Sequence, residues 1–378
     1  MAMTQKESTR RIEEIDHEIA KLVEERLDAS RQADEGMSAS EIAQKCRHYE
    51  RGFMNSLEQD YKEISGYERV LFQALFDMSH SYKNTQYGTK TDLADLIREA
   101  IEKTPKLFPT SGMIACQGIE GAYSQIATDK IFPHANIMYF KTFDGVFQAV
   151  ENGLCEFGML PIENSSYGSV TQVYDLMAGH KFHIARDYKL KINHHLLVKP
   201  GTDLSDIKEI YSHSQAIGQC SKFLREHQEI KINVVENTAV AARMVADSER
   251  NDVAAISSSD CRQLYGLSSI PVNIQNTDHN YTRFICITKD LRIYPGASKT
   301  SIMLSLGHKP GALADTLAKF SSLGLNLTKI ESRPIAGSDF EFMFYLDFEA
   351  SVYSEEVVKL LCQLDCEPSD FTYLGTYI

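Results

Sequence analysis

Between Met113 and Ile287 the chain repeats one local pattern: a short apolar run, an abrupt change to polar residues, then a helical stretch. Ile114-Ala115-Cys116 leads into Gly118-Ile119-Glu120-Gly121-Ala122-Tyr123-Ser124. Phe157-Gly158-Met159-Leu160-Pro161-Ile162 leads into Glu163-Asn164-Ser165-Ser166-Tyr167-Gly168-Ser169-Val170. Ile210-Tyr211 is followed by Ser212-His213-Ser214-Gln215-Ala216, and Ile232-Asn233-Val234-Val235 by Glu236-Asn237-Thr238-Ala239. Val253-Ala254-Ala255-Ile256 ends in Ser257-Ser258-Ser259. Short apolar runs bounded by Gly, Asn and Ser read as buried strands, and strands alternating with helices specify an α/β domain. Each junction alone is no more than a capped turn. Together they place polar groups at the carboxyl ends of strands, where such folds bind small ligands in a crevice between lobes. The long run from Phe182 to Val198 reads as a strand crossing between the lobes, and Asp278 to Ile287 as the strand that returns.

At 378 residues the chain exceeds one typical core, which predicts two or three domains. A net charge of -13 argues against a nucleic-acid partner. No apolar run is long enough for a membrane helix, and the opening MAMTQKESTRRIEEID has no signal-peptide core. The eight cysteines are scattered without a CxxC pair, as expected of reduced thiols in a cytoplasmic protein. His194-His195 cannot share one metal from adjacent strand positions, so no metal and no cofactor is expected. The Gly118–Gly121 loop lacks the spacing of a phosphate cradle but suits an anion such as a carboxylate.

Before Tyr87 the pattern is helical. Ile12, Ile15, Ile19, Leu22 and Val23 recur at three and four residues, and Gly36 and Gly66 suggest breaks, giving helices over about 8–35, 38–64 and 67–86. Tyr87-Gly88-Thr89-Lys90-Thr91-Asp92 starts a further helix over 92–103. Such helices seldom bury their stripes alone, so a second copy is expected against them. This segment resembles the all-helical chorismate mutase domain, with Arg26, Glu50 and Ser79 in register with its site. Thr9, Met37, Tyr49 and Lys83 stand where that family has Arg, Lys, Arg and Gln. Holding a dicarboxylate compact needs a cationic clamp. The resemblance therefore implies a mutase-like domain that is weak or inactive and serves dimerisation, unless Lys45, Arg47 or Lys83 is recruited.

Gly121-Ala122-Tyr123-Ser124, Pro161 to Ser165, Gly168-Ser169-Val170, His213-x-Gln215, Asn237-Thr238-Ala239 and Asn280-x-Thr282-Arg283-Phe284 resemble, in order and spacing, the motifs of prephenate dehydratase. Ser214 stands where that family usually has proline. The resemblance covers roughly 113–290 and implies loss of hydroxide and carbon dioxide from prephenate to give phenylpyruvate. It makes Thr282 the essential hydroxyl. Glu163 is either a proton source or one half of a structural ion pair. Tyr123, Ser124, Asn164, Ser165, Ser169, Gln215, Asn237, Thr238, Arg283 and Phe284 are assigned to substrate. Thr282 and Arg283 point to opposite strand faces, and Thr282 is expected to face the cleft.

Residues 298–378 read βαββαβ, with Pro310 at a helix start. They resemble an ACT regulatory domain of ferredoxin-like α+β fold. Gly311-Ala312-Leu313, Asn326 and Glu331-Ser332-Arg333 match its phenylalanine-binding motifs. The expected organisation is multidomain: an all-α helical domain (1–104), a two-lobed α/β dehydratase domain like periplasmic binding proteins (105–292), and the ACT domain (297–378). Lobe 1 comprises about 113–190 with 282–292, and lobe 2 about 191–281. Expected partners are prephenate and L-phenylalanine as effector, within a homodimer or homotetramer. A fully bifunctional mutase–dehydratase and a non-catalytic phenylalanine sensor are the alternatives.

Overall fold

The computed structural model describes residues 5–33, 39–60, 65–87, 92–307, 311–335, 341–366 and 370–378. They cluster into two compact units. One comprises 1–94, 307–326 and 353–369; the other comprises 95–306, 327–352 and 370–378. Gly36, Met37, residues 88–91 and Pro310 lie outside the described residues, as do the side chains of Arg47 and Lys83.

The first unit opens with α1 (Gln5–Gln32), α2 (Ala39–Asp60) and α3 (Ser65–Tyr87), close to the ranges the apolar period predicts. Gly66 does not break a helix; it sits in the first turn of α3, where a glycine disrupts little of the hydrogen-bond ladder. Phe53 of α2 meets Phe72 of α3 edge to face at 4.6 Å, and Leu75 and Phe76 are buried. Ile12, Ile15, Ile19 and Leu22 are instead 59, 38, 45 and 62% exposed, an apolar stripe that this chain leaves open. The helix α4 (Asp92–Lys103) begins in the first unit and runs into the second.

The second unit contains both α/β lobes. The first has β1 (Ser111–Gln117), α5 (Tyr123–Ile131), β2 (His134–Phe140), α6 (Phe143–Glu151), β3 (Phe157–Asn164), β4 (Gly168–Ser169), α7 (Thr171–Met177) and β5 (His183–Lys191). The second has β6 (His195–Val198), β7 (Glu209–Ser212), α8 (Ser214–Gln219), α9 (Ser221–Glu226), β8 (Lys231–Val234), α10 (Thr238–Asp247), β9 (Val253–Ser257), α11 (Ser259–Leu264) and β10 (Ser268–Ile270). The chain then returns as β11 (Tyr281–Thr288). The first sheet runs β2-β1-β3-β11-β5 with β4 on β3, and the second β10-β6-β9-β7-β8. Gly158 lets β3 lie tight on its cover, because a Cβ there would sit 2.9 Å from Val146, Val150 and Ile287.

One strand was expected over 182–198, but the structure divides it. The chain leaves the first sheet at Lys191, crosses at 192–194 and enters the second sheet as β6. The returning crossing lies beside it, with Ile192 N–H donating to the Asn280 carbonyl at 2.8 Å. The strand β2 had no expectation behind it, because an edge strand with only partly buried residues lacks a continuous apolar run.

The C-terminal segment folds as β12 (Lys299–Ser305), α12 (Ala312–Ser322), β13 (Leu327–Pro334), β14 (Phe342–Glu349), α13 (Glu355–Asp365) and β15 (Phe371–Tyr377). Its strands form an antiparallel sheet of order β13-β14-β12-β15. The sheet belongs to the second unit, and α12 and α13 belong to the first, where both pack against α3. Met303, Met343, Tyr345, Leu374 and Tyr377 share a core with Phe147, Leu160 and Tyr174 of the first lobe. Among the described residues no helix is long and apolar enough to cross a membrane.

Candidate active site

A cleft of about 510 Å³ lies between the two lobes, where helices from both begin. Ala122, Tyr123 and Ser124 line it from the start of α5, and Val170, Thr171 and Gln172 from the start of α7. The second lobe supplies His213, Ser214 and Gln215 of α8 with Asn237 and Thr238 of α10. The α8 and α10 starts are self-capped, His213 Nδ1 accepting from Gln215 N–H and Asn237 Oδ1 from Val240 N–H. The α5 and α7 starts, at Ala122 and Val170, have no side-chain cap. Helix N-termini carry unsatisfied N–H donors and the positive end of the helix dipole, so the cleft is polarised to take anions.

Among the described residues the lining includes no lysine or arginine, and its one carboxylate is Glu236. Burial pushes His194 down to about 4 and lowers His213, so neither imidazole brings a charge at neutral pH. Burial also raises the Tyr123 phenol well above its ordinary value, reinforced by Cys261, Cys220 and Asp260. A carboxylate entering the cleft therefore meets neutral donors and helix ends.

Thr282 and Asn164 are directly opposed across β11 and β3, and both line the cleft. Asn164 Nδ2 donates to Thr282 Oγ1 at 3.0 Å, to Asn280 Oδ1 at 3.0 Å and to the Tyr281 carbonyl at 3.2 Å. Its Oδ1 accepts from the Ser166 and Tyr167 N–H groups at 2.9 and 3.0 Å, which fixes which way the amide faces. Because Thr282 Oγ1 is an acceptor in this contact, its own proton remains for a group in the cleft. Gln219 Nε2 extends the network to Asn164 Oδ1 at 3.3 Å and Asn280 Oδ1 at 3.4 Å. Gln219 Oε1 then accepts from His194 Nε2 at 2.7 Å, and His194 Nδ1 lies 3.1 Å from the Tyr123 hydroxyl.

His194 and Gln219 were not among the expected site residues. Gln219 is one helical turn from Gln215 and shares its face, a spacing that could have found it. In the sequence His194 stands out only as half of the His194-His195 pair. It sits on the interlobe crossing, which the sequence did not separate from the strands beside it.

Three expected residues lie elsewhere. Arg283 does not reach the cleft: strand alternation turns it to the opposite face of β11, where it is 8% exposed. There it donates to Asp187 at 2.7 Å, to Asp347 at 2.5 Å and to the Tyr377 hydroxyl at 2.7 Å. Burial alone would lower the guanidinium, but Tyr377, Asp347 and Asp187 outweigh it and hold it above its ordinary value. Glu163 faces away from Asn164 and pairs with Lys329 at 2.9 Å, outside the cleft lining. Ser165 Oγ accepts from Tyr281 N–H at 2.9 Å and donates to the His279 carbonyl, so it ties a loop to β11. Tyr123, Ser124, Asn164, Ser169, Gln215, Asn237, Thr238, Thr282 and Phe284 all line the cleft.

Gly121 is needed for close approach of the lobes. Its φ is +89°, and a Cβ there would meet Cys261 Sγ of α11 at 2.8 Å. On the C-terminal sheet, Glu331 and Arg333 share one face of β13 and contact the first lobe: Ser169 Oγ donates to Glu331, and Arg333 pairs with Asp175 of α7 at 2.7 and 3.0 Å. Ser332 is exposed on the other face. Gly311, at φ +86°, starts α12 with Ala312 and Leu313 in its first turn, and Asn326 is exposed.

A separate cavity of about 300 Å³ lies within the helical part of the first unit, lined by Arg26, Ser30, Lys45, Tyr49, Glu50, Phe76 and Ser79 among others. Arg26 Nη1 donates to the Leu75 carbonyl at 3.0 Å and to Ser79 Oγ, with its guanidinium 5.1 Å from the Phe76 ring centre. Lys45 Nζ donates to the Ala33 carbonyl at 2.7 Å. Arg26, Glu50 and Ser79 are thus brought together, with Lys45 on the same wall.

The family model described as prephenate dehydratase matches residues 114–292. "Arogenate dehydratase/prephenate dehydratase 2, chloroplastic" of Arabidopsis thaliana is 37% identical over 276 residues, covering 70% of this chain and 72% of that one. "Bifunctional chorismate mutase/prephenate dehydratase" of Escherichia coli (strain K12) is 35% identical over 278 residues, 72% of each chain. The solved prephenate dehydratase of Arthrobacter aurescens, in complex with L-Phe, superposes with a TM-score of 0.64 at 29% identity, covering 70% of this chain and 89% of that one. The chain belongs to the prephenate dehydratase family.

Proposed function

We propose that this chain is a lyase that converts prephenate to phenylpyruvate, carbon dioxide and water in phenylalanine biosynthesis. The observation that carries this reading is the Asn164–Thr282 contact, which leaves the Thr282 proton available in a cleft polarised for anions. The starts of α5 and α7, with Gln215, Asn237 and Thr238, would hold the two carboxylates. Cleavage of the ring C–O bond sends its electron pair to the departing hydroxide, which the Thr282 hydroxyl steadies by hydrogen bonding until a solvent proton makes water. The bond from the ring to its carboxylate breaks in concert, its electrons completing the aromatic ring as carbon dioxide leaves. Aromatisation drives the reaction, so the protein has only to favour departure of the hydroxyl. Phenylpyruvate formation from prephenate, present in the wild type and lost in Thr282→Val, tests this reading.

Arogenate is the second reading, because it carries an ammonium where prephenate has a keto oxygen and Glu236 lines the cleft. Assays with each substrate distinguish them.

The C-terminal segment is read as an ACT domain of ferredoxin-like fold through which phenylalanine inhibits. Its strand order and the L-Phe complex of the Arthrobacter protein support this. The helical part is read as a mutase-like domain of little activity that pairs two copies through the open stripe of α1. Among the described residues its cavity is lined by only two cations, Arg26 and Lys45, and Lys45 is spent on the Ala33 carbonyl, which supports weak turnover of chorismate. Assembly is then a homodimer or a homotetramer, and eight cysteines outside disulfides suit a cytoplasmic location.

A further inference from the structure

Ser169 lines the cleft from the first lobe, yet its hydroxyl is committed elsewhere. Its Oγ donates to Glu331 Oε2 at 2.5 Å and accepts from Lys329 Nζ at 2.8 Å. A serine hydroxyl has one proton and two lone pairs. With the proton on Glu331 and one lone pair on Lys329, Ser169 can offer the cleft only a second lone pair, which repels a carboxylate. Lys329 also donates to Glu163 Oε1 at 2.9 Å and lies 3.7 Å from Glu331. Two carboxylates thus share one ammonium directly behind a cleft wall. All three residues are only partly exposed, Lys329 at 15%, Glu331 at 18% and Glu163 at 35%. Little solvent intervenes to screen the excess negative charge from a dianion.

Glu331 and Lys329 belong to β13 of the C-terminal sheet, and Ser169 belongs to the dehydratase lobe. Residues 329, 331 and 333 alternate onto one face of that strand. Two residues beyond Glu331, the Arg333–Asp175 pair fastens the same strand to α7. We propose that Glu331 is a positioning residue through which the C-terminal sheet sets the affinity of the cleft for its dicarboxylate substrate. With β13 docked, Glu331 withholds the Ser169 proton and adds a negative charge. Once Glu331 moves away, Ser169 turns its proton to a substrate carboxylate. This inference rests on the reading of the cleft as a prephenate site. It makes Ser169 a regulated donor and gives a motif residue expected to hold phenylalanine a role in substrate binding that acts through Ser169.

The test is initial-rate kinetics of phenylpyruvate formation on the full chain. A charge-assisted hydrogen bond gained by a carboxylate corresponds to a fall in KM of about tenfold in Glu331→Ala. Only binding is relieved, so kcat should stay within about twofold. Glu331→Gln keeps the shape and removes the charge, and should lower KM by less. Lys329→Met leaves Glu163 and Glu331 without their cation and should raise KM. In a Ser169→Ala background the effect of Glu331→Ala should shrink to the smaller charge contribution. A merely structural contact predicts the opposite for Glu331: both substitutions would raise KM or lower kcat. An unchanged or raised KM in Glu331→Ala and Glu331→Gln overturns the proposal, as does a full KM decrease that survives in Ser169→Ala. If the wild type forms no phenylpyruvate from prephenate, the reading of the cleft falls and the proposal falls with it. If the wild type is active and only the KM pattern fails, the proposal alone is wrong.

Discussion

Replacing Thr282 by valine separates chemistry from folding at one position. Valine has nearly the same shape, so the half-buried site is neither emptied nor crowded, but the hydroxyl is gone. Asn164 Nδ2 loses one acceptor at 3.0 Å and keeps Asn280 Oδ1 at 3.0 Å and the Tyr281 carbonyl at 3.2 Å. The stability cost should therefore be about 1 kcal/mol or less. Under the proposed mechanism the cost to the reaction is larger, because the missing proton is the one that would meet the departing oxygen. Removing one preorganised donor costs about 2.7–4 kcal/mol, a fall of roughly 10²–10³ in kcat. The loss should appear in kcat with KM little changed, since the carboxylates are held by other groups. Thr282→Ser restores the proton and should recover most of the rate. The assay is phenylpyruvate formation followed by absorbance in alkali, with thermal unfolding measured on the same preparations. A valine variant that keeps more than about a tenth of the wild-type kcat would refute the assignment, since one donor is worth more than that.

Arg283→Met should lower unfolding stability in urea by about 3–5 kcal/mol by leaving Asp347 buried without its guanidinium, while Asp187 keeps Lys299 at 2.6 Å; a loss under about 1 kcal/mol would contradict the burial argument. His194 is neutral down to about 4, against 6.5 for the unfolded chain. Between those values the unfolded chain binds a proton that the folded chain refuses, so stability should fall with pH by about 3 kcal/mol across that window. His194→Gln should flatten that part of the stability profile in urea titrations at several pH values. Gly121→Ala should cost about 1–2 kcal/mol for the positive φ alone, and more because its Cβ wedges against Cys261; thermal melts and kcat should fall together. Charging the stripe of α1 with Ile19→Glu and Leu22→Glu should shift the light-scattering mass to a smaller species, while an unchanged mass would remove α1 from the assembly interface.

The local grammar was legible in the sequence. Apolar period gave the three N-terminal helices to within a few residues, because an amphipathic stripe needs no distant partner to be read. The polar junctions at Tyr123-Ser124, Asn164, Gln215 and Asn237-Thr238 were legible as candidate site residues because strand ends and helix starts carry their own residue preferences. The alternation rule gave opposite faces to Thr282 and Arg283. The family resemblance nevertheless assigns Arg283 to substrate, and only its buried partners, Asp187 from 96 positions upstream and Asp347 from 64 downstream, assign it to the interior.

What the chain could not declare from its sequence are the relations between segments far apart along it. The division of 182–198 into two strands depends on which sheet each half joins. Glu163 had two readings because its partner, Lys329, comes from the C-terminal sheet. His194 and Gln219 joined the site only when the interlobe crossing was placed beside α8. A sequence specifies short-range preference, which is a property of a few neighbouring residues. The direction of one hydroxyl proton is settled by what packing brings within 3 Å, and that is decided by the tertiary fold.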